Sequence, residues 1–209
     1  LESTRLLKIF TSSKPEPDEQ LEVLEAVEKH MSRELLFLSH LSKISSNILE
    51  AEITEDIYPL TLDAIVSSLK AKRGAVMLLD NESTPPCLRL AAEQGFTPES
   101  RKRMGQVYLE SASMESRCLE RKEAQFFSEE DIGEGPASSL TMAAKMQEGI
   151  MAPLVGQTRT LGLVLIEPEP SSGVFFPHTT PLLQIFSNVC GLALEKQRLL
   201  ETIQHKNEQ

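Results

Sequence analysis

Tryptophan is absent from this chain of 209 residues, tyrosine occurs twice, and aromatic residues make up 5% of the sequence. Basic residues are also few, because 21 Lys and Arg stand against 31 Asp and Glu and give a formal net charge of −10. Binding to nucleic acid needs a positive field and aromatic stacking platforms, so the composition argues against it. No stretch approaches the roughly 18 consecutive apolar residues of a membrane helix, and no charged-then-apolar leader opens the sequence, so we expect neither a membrane span nor a signal peptide. We therefore expect neither a nucleic-acid nor a membrane partner.

Cysteine is scarce and widely spaced, with Cys87, Cys118 and Cys190 as its three copies. An odd, scattered set fits a reducing cytoplasm better than a disulfide scaffold. Residues of the hydrophobic class make up 40% of the chain and charged residues 25%, as in ordinary globular proteins. The composition predicts a cytoplasmic protein with one medium domain and long appendages, or with two small domains.

The sequence lacks the signature motifs of common enzyme classes. It has no G-x-S-x-G elbow, no H-E-x-x-H pair and no G-x-x-x-x-G-K-[ST] phosphate loop. The four histidines lie far apart, which disfavours a metal site. Cys118 and Cys190 are interpreted as small buried hydrophobes rather than nucleophiles. We predict no enzyme activity, no cofactor and no bound metal.

The two ends of the chain differ from its middle. The sequence starts at Leu1 rather than Met and stops in a polar run, which favours a piece of a longer protein. Residues 1–17 are interpreted as a linker or the tail of a preceding domain, since a Pro- and Ser-rich breaker closes them. Asp18 is placed to cap a helix, and residues 18–34 are predicted as an N-terminal signalling and dimerisation helix.

Both ends carry apolar residues at alternating steps of three and four, interrupted at Glu34 in the first row and at Lys196 in the second. This spacing keeps one face of a helix toward a partner helix. These positions are Leu24, Val27, Met31 and Leu38 near the start, and Leu182, Ile185, Val189, Leu192, Leu199 and Ile203 near the end. The second helix has a further stripe, at Leu183, Phe186, Cys190 and Ala193, that should pack on the domain. We predict a parallel homodimer through these helices; packing of both helices within one monomer is the alternative.

The middle of the chain has the pattern of a mostly antiparallel sheet. Residues 55–70 are predicted as a helix, the apolar run 74–79 as a buried strand, and residues 87–93 as its hairpin partner. A second hairpin covers residues 150–155 and 160–166. Between the hairpins we expect helices at 97–104 and 113–122, short strands at 105–109 and 124–128, and a long loop or broken helix at 129–146. The prediction is an α+β fold of five or six strands, with helices covering one sheet face.

The inward positions of the sheet and the 129–146 segment gather side chains suited to a ligand pocket. The candidates are Met77, Tyr108, Cys118, Phe127, Met142, Met146, Met151 and Pro153. Flexible methionines adapt to a small guest, but they also fill ordinary cores. Pocket and plain core packing therefore both stay open.

The second hairpin resembles a GAF domain, the small-molecule sensor module of signalling proteins. The matching residues 151–166 read MAPLVGQTRTLGLVLI: a small residue, Pro and Leu, then a Gly-bearing turn, then an aliphatic-Gly-aliphatic strand. Residues 74–80 are similar to the family's first central strand, and Phe175 or Phe176 followed by residues 182–194 to its closing helix. The similarity covers roughly residues 35 to 197.

The resemblance implies a central antiparallel sheet of six strands, with helices on one face and a ligand cavity on the other, and long N- and C-terminal helices. Residues 35–197 would form the sensor domain, and residues 198–209 would begin a linker helix to an output domain. Such a module binds a small molecule or a neighbouring domain and relays that state through paired helices to a histidine kinase, a nucleotide cyclase or a sigma-factor-dependent transcription regulator. A ligand-free dimerisation module and a small redox enzyme using Cys118 are the alternatives.

The sequence departs from the ligand signatures of known GAF subtypes. The acidic pair of the nucleotide-binding members is missing after Phe175 and Phe176, and Cys118 is followed by Leu119 rather than by the His of bilin attachment. The three cysteines are also too widely separated for the closely grouped set of the free methionine sulfoxide reductases. The resemblance therefore implies no nucleotide, bilin or redox chemistry.

Overall fold

The computed structural model describes residues 57–134, 139–169 and 176–207, together with Ser39. The chain divides into two compact units, Leu1–Ser42 and Lys43–Gln209, and apart from Ser39 the described residues lie in the second. The predicted N-terminal helix at 18–34, and the seam positions Leu24, Val27, Met31 and Leu38, lie outside the described residues.

The described elements alternate between strands and mostly short helices. In chain order they are α1 (Ile57–Leu69), β1 (Ala71–Asp80), β2 (Cys87–Gln94), α2 (Pro98–Met104), β3 (Gln106–Tyr108), α3 (Met114–Arg121), β4 (Gln125–Phe127), α4 (Glu129–Glu134), α5 (Ser139–Ala144), β5 (Gly149–Val155), β6 (Thr160–Pro168) and α6 (Phe176–Asn207).

The six strands form one sheet in the order β3-β2-β1-β6-β5-β4. Every neighbouring pair is antiparallel. The two predicted hairpins, β1–β2 and β5–β6, meet at the centre, where β1 pairs with β6. The prediction of a six-stranded antiparallel sheet in an α+β fold is confirmed.

Side-chain alternation gives the sheet two different faces. On one face α1 packs on β1 and β2, and α6 packs mainly on β5. The alternate residues of the same strands point to the other face, where α2, α3 and α5 cover them. The longer helices therefore share one face, and short helices roof the face on which the resemblance implies a cavity.

Local sequence signals explain where the short helices start. Thr97 caps α2, because its hydroxyl accepts the Ser100 N–H at 3.2 Å and Pro98 follows in the first turn. Ser113 caps α3 in the same way, accepting the Ser116 N–H at 3.2 Å. These caps are Ser and Thr, the residue types that best satisfy the free N–H groups of a first turn.

The first strand is longer than its apolar run predicts. The run starts at residue 74, whereas β1 starts at Ala71 and pairs there with Pro168 of β6. The two cations ahead of the run, Lys72 and Arg73, form ion pairs with Glu167 on the neighbouring strand. Charge pairing across the two strands therefore extends the ladder beyond the hydrophobic segment.

Candidate functional site

The roofed face of the sheet holds a single buried apolar cluster, which we call the roof cluster. From the strands it takes Ala75, Met77, Leu88, Val107, Phe127, Met151, Leu163 and Leu165; from the helices and loops, Phe96, Met104, Met114, Cys118, Leu119, Leu140, Ala144 and Met146. Each of these side chains is at most 7% exposed. The cluster lies where the family resemblance implies a ligand chamber.

The roof cluster is rich in methionine. Five of the seven methionines of the chain belong to it: Met77, Met104, Met114, Met146 and Met151. Unbranched thioether side chains change rotamer at little cost, so a cluster built from them can repack around a guest more readily than one of branched residues. The opposite face, against α1 and α6, takes mainly branched aliphatics such as Leu62, Ile65 and Val164.

The structure brings together five of the eight predicted pocket residues. Met77, Cys118, Phe127, Met146 and Met151 all lie in the roof cluster. Pro153 is buried within β5, where its register partner is Leu163.

Tyr108 and Met142, the other two predicted pocket residues, lie on the surface. Tyr108 is 53% exposed at the end of edge strand β3, because alternation turns its neighbour Val107 inward. Met142 is 59% exposed, because α5 turns Leu140, Thr141 and Ala144 toward the sheet and so points Met142 to the surface. Neither residue lines the roof cluster.

A buried carboxylate next to this cluster was missed by sequence reasoning. Glu115, in the first turn of α3, is 1% exposed, and its Oε1 accepts the Leu140 N–H at 2.7 Å. The bond joins α3 to the N-terminal turn of α5. There the carboxylate accepts a backbone N–H that has no partner within the helix, and it lies at the positive end of the helix dipole. The chain has 31 acidic residues, and nothing in the spacing around Glu115 distinguishes it from the others.

Arg73 holds the other end of α5. Its Nη1 donates to the Ala144 carbonyl at 3.2 Å and its Nη2 to the Lys145 carbonyl at 2.7 Å. Its Nε pairs with Glu167, and the guanidinium lies 4.9 Å from the centroid of the Phe96 ring. A six-residue helix is too short to be stable alone, so α5 depends on an anion at its start and a cation at its end.

We expect Arg73→Met to loosen α5 selectively. Removing a largely buried guanidinium that donates to two carbonyls and a carboxylate should lower the free energy of unfolding by roughly 1.5–3 kcal/mol. Amide hydrogen exchange should rise in residues 139–145 more than in β1.

The matched control for this variant is Lys72→Met on the same strand. The Lys72 side chain is 53% exposed and makes a 3.3 Å ion pair with the same Glu167, so its loss should cost less than about 1 kcal/mol. Equal effects of the two variants on α5 would contradict the role assigned to Arg73.

The cysteines have the properties of packed side chains. All three are free and buried. Desolvation, and then the nearby Glu115 charge, raise the pKa of Cys118 to about 12; burial raises the pKa of Cys190 to about 12. At pH 8 roughly one such thiol in ten thousand is ionised, and the thiolate is the nucleophile. These two thiols are therefore poorly suited to redox catalysis.

The final helix presents two faces, as its sequence predicts. Leu183, Phe186 and Cys190 are fully buried, and Ala193 is half-buried. On the other side Leu182 and Val189 are half-buried, whereas Ile185, Leu192, Leu199 and Ile203 are 46–56% exposed. We call these six residues the outer seam. The α6 helix therefore packs on the sheet through one stripe and leaves an apolar row uncovered.

The described residues offer neither a metal site nor a membrane span. Within residues 57–134, 139–169 and 176–207, no group of three or more His, Cys, Asp or Glu side chains is arranged to hold a metal ion. No helix in this part of the chain combines the length and the apolar character needed to cross a membrane.

Comparison with solved structures assigns the fold. The GAF domain of a phosphoenolpyruvate-protein phosphotransferase from Coxiella burnetii is similar at a TM-score of 0.62 and 15% identity, covering 80% of this chain and 98% of that one. The GAF domain of a protein assigned as a sensor histidine kinase from Pseudomonas syringae pv. tomato matches at a TM-score of 0.57 and 15% identity, covering 87% and 99%. The chain has a GAF-like fold.

An enzyme is also among the solved structures similar to this GAF-like chain. The free methionine-R-sulfoxide reductase from Neisseria meningitidis, solved with its substrate, matches at a TM-score of 0.58 and 15% identity, covering 78% of this chain and 91% of that one. No protein-family model matches the sequence, and no curated protein matches it. At identities this low the comparisons establish the fold, and function has to be argued from the side chains.

Proposed function

We propose that this GAF-like domain is a regulatory sensor module of a multidomain signal-transduction protein. It responds to a small molecule or to a neighbouring domain, and it relays that state through paired terminal helices to an output domain of the same chain. The observation that carries the proposal is the uncovered outer seam of α6, on a helix whose other face packs on the sheet. Similar folds from a phosphotransferase and a protein assigned as a sensor kinase support it by analogy.

The dimer is the first part of this proposal. The outer seam follows steps of three and four residues, interrupted at Lys196, and four of its six side chains are about half exposed. This spacing is the one that a pair of parallel helices uses. Residues 18–34 would supply a second such helix, residues 35–197 the sensor domain, and residues 198–209 the start of the linker. A ligand shifts such a pair only by binding its two arrangements with different affinities.

The ligand site is the second part. We place the ligand site in the roof cluster, beneath α5, which Glu115 and Arg73 hold over it by hydrogen bonds. A bound molecule would replace methionine contacts with its own and displace α5. The alternative, a ligand-free dimerisation module, is favoured by the complete burial of Met77, Cys118 and Met151, since side chains that already fill a core leave little room.

A catalytic role is not part of the proposal. The similar sulfoxide reductase is an enzyme, but buried thiols with raised pKa values give this chain no evident nucleophile at Cys118 or Cys190. Three free cysteines fit a cytoplasmic location.

Two measurements on the 209-residue chain test the proposal. Analytical ultracentrifugation over a hundredfold concentration range should give twice the chain mass, and a thermal-shift screen of metabolites should find one that raises the melting temperature. A dimer that no compound stabilises would favour the ligand-free module. A monomer at every concentration would overturn the relay.

A further inference from the structure

The last turns of α6 change from buried to exposed around Glu195. Among the residues of α6 whose burial the structure describes, Leu194, at 3% exposure, and Glu195, at 5%, are the last that are buried. From there Lys196, Arg198, Leu199 and Ile203 are exposed. A carboxylate is seldom so deeply buried unless it is paired, so its partners show what the last packed turn of α6 contacts.

Those partners belong to the turn that joins β5 to β6. The Glu195 carboxylate accepts hydrogen bonds from the backbone N–H of Gln157 and from the hydroxyl of Thr158. It also accepts the backbone N–H of Thr158, whose nitrogen lies 3.2 Å from Oε1 and 3.3 Å from Oε2. These bonds lower the pKa of Glu195, and the Arg159 charge lowers it further, so the side chain is ionised at neutral pH. Both oxygens act as acceptors.

The helix backbone also touches the same end of the hairpin. Gly191 lies one helical turn before Glu195, on the same face. A Cβ atom at Gly191 would lie 2.5–2.7 Å from the backbone O, N and C atoms of Val155, so only glycine permits this approach. The β5–β6 turn is thus fixed to α6 at two successive helical turns, by contact at Gly191 and by hydrogen bonds at Glu195.

The same two strands line the roof cluster on the opposite face. Met151 of β5 and Leu163 and Leu165 of β6 are members of that cluster. Any repacking of the cluster that shifts these strands therefore acts on the turn that Glu195 holds. The sheet is a single layer between the candidate ligand site and α6.

We infer that Glu195 is the positioning residue that couples the β5–β6 hairpin to the projecting part of α6, so that hairpin movement alters the order of the helix from Lys196 onward. The inference deepens the proposed sensor function by naming the contact through which the body acts on the helix. The coupling is within one chain and does not require the dimer.

The test is amide hydrogen exchange with a double-variant cycle. Glu195→Gln replaces one acceptor oxygen with a donor group that faces backbone donors, so the Gln157 and Thr158 amides should exchange roughly tenfold faster. Thr158→Val removes the hydroxyl bond at the turn. As a single change, Thr158→Val should speed exchange severalfold in residues 196–203. In a chain that already carries Glu195→Gln, the same change should raise that exchange rate little further.

Matched controls separate coupling from lost stability. Thr160→Val removes a hydroxyl two residues away, outside the contacts of Glu195, and Glu120→Gln neutralises an exposed carboxylate on α3. Both should leave exchange in residues 196–203 unchanged. Exchange is measured at a concentration at which sedimentation shows a monomer. If dilution alone does not give a monomer, the variant Leu192→Glu with Leu199→Glu is used as the background. The coupling within one chain can then be measured even if the proposed dimer does not form.

Three results would overturn the inference. The first is an equal response of residues 196–203 to Thr158→Val and Thr160→Val. The second is additive effects of Thr158→Val and Glu195→Gln. The third is a rise in exchange that is the same in β1 as in residues 196–203, because that would report a general loss of stability.

Discussion

Replacing Leu192 and Leu199 by Glu should abolish the proposed homodimer and leave a monomer. In the isolated chain these side chains are 48% and 56% exposed, so the change does not touch the core. In a symmetric helix pair it would remove four leucines from the interface and introduce four like charges. At about 1.5 kcal/mol for each leucine, the dissociation constant should rise by roughly ten-thousandfold. Sedimentation equilibrium measures this directly.

A charge-matched variant guards against a purely electrostatic effect. Arg198→Glu changes the net charge by −2, as the two Leu→Glu changes together do, but Arg198 is an exposed residue of α6 outside the outer seam. This variant should remain a dimer, and circular dichroism should show the same helix content in all three proteins. A dimer that survives Leu192→Glu with Leu199→Glu would place the interface elsewhere.

The central sheet could be predicted because each of its hairpins carries its own pattern. The alternation of Leu161, Leu163 and Leu165, and the apolar run from residue 74, require no partner to be recognised as strands. Likewise α1, predicted at 55–70, is observed at Ile57–Leu69, because its apolar spacing is a local pattern. Hairpin logic predicted five or six mostly antiparallel strands, and the resemblance implied six; the order of the strands in the sheet was not predicted.

The 129–146 segment could not be assigned in the same way. Its helices α4 and α5 are six residues each, too short to carry a clear period. What fixes α5 is remote: Glu115 lies 25 residues before its Leu140 partner, and Arg73 lies 71 residues before Ala144. A local pattern contains no information about such contacts, so a loop or broken helix was the natural expectation.

The candidate site was predicted in part for a related reason. Residue type predicted that Met77, Met146 and Met151 are buried together, because large apolar side chains are usually buried. It did not predict the exposure of Met142 and Tyr108, whose orientation depends on the helical phase of α5 and on the edge position of β3. Glu195 was missed because its partners, Gln157 and Thr158, lie 38 and 37 residues away.

Gly162→Ala should be among the most damaging single substitutions in this domain. Gly162 occupies the middle of the aliphatic-Gly-aliphatic pattern in β6, and its register partner on β1 is Leu78. A Cβ atom there would lie 2.0 Å from the Met77 carbonyl oxygen and 2.9 Å from the Leu78 Cα, both of them backbone atoms that cannot rotate away. The two central strands would have to separate.

The consequence extends to the candidate site, because Met77 and Leu163 flank this contact and both belong to the roof cluster. We expect the free energy of unfolding to fall by roughly 3 kcal/mol or more, measured by urea denaturation. The control is Gly105→Ala. Gly105 has a helical φ of −47°, and an added Cβ would lie 3.2 Å from the Lys102 carbonyl, so that variant should stay within about 1 kcal/mol of the wild type. If Gly162→Ala and Gly105→Ala lower the free energy of unfolding by similar amounts, the close contact between β1 and β6 does not explain the glycine at position 162.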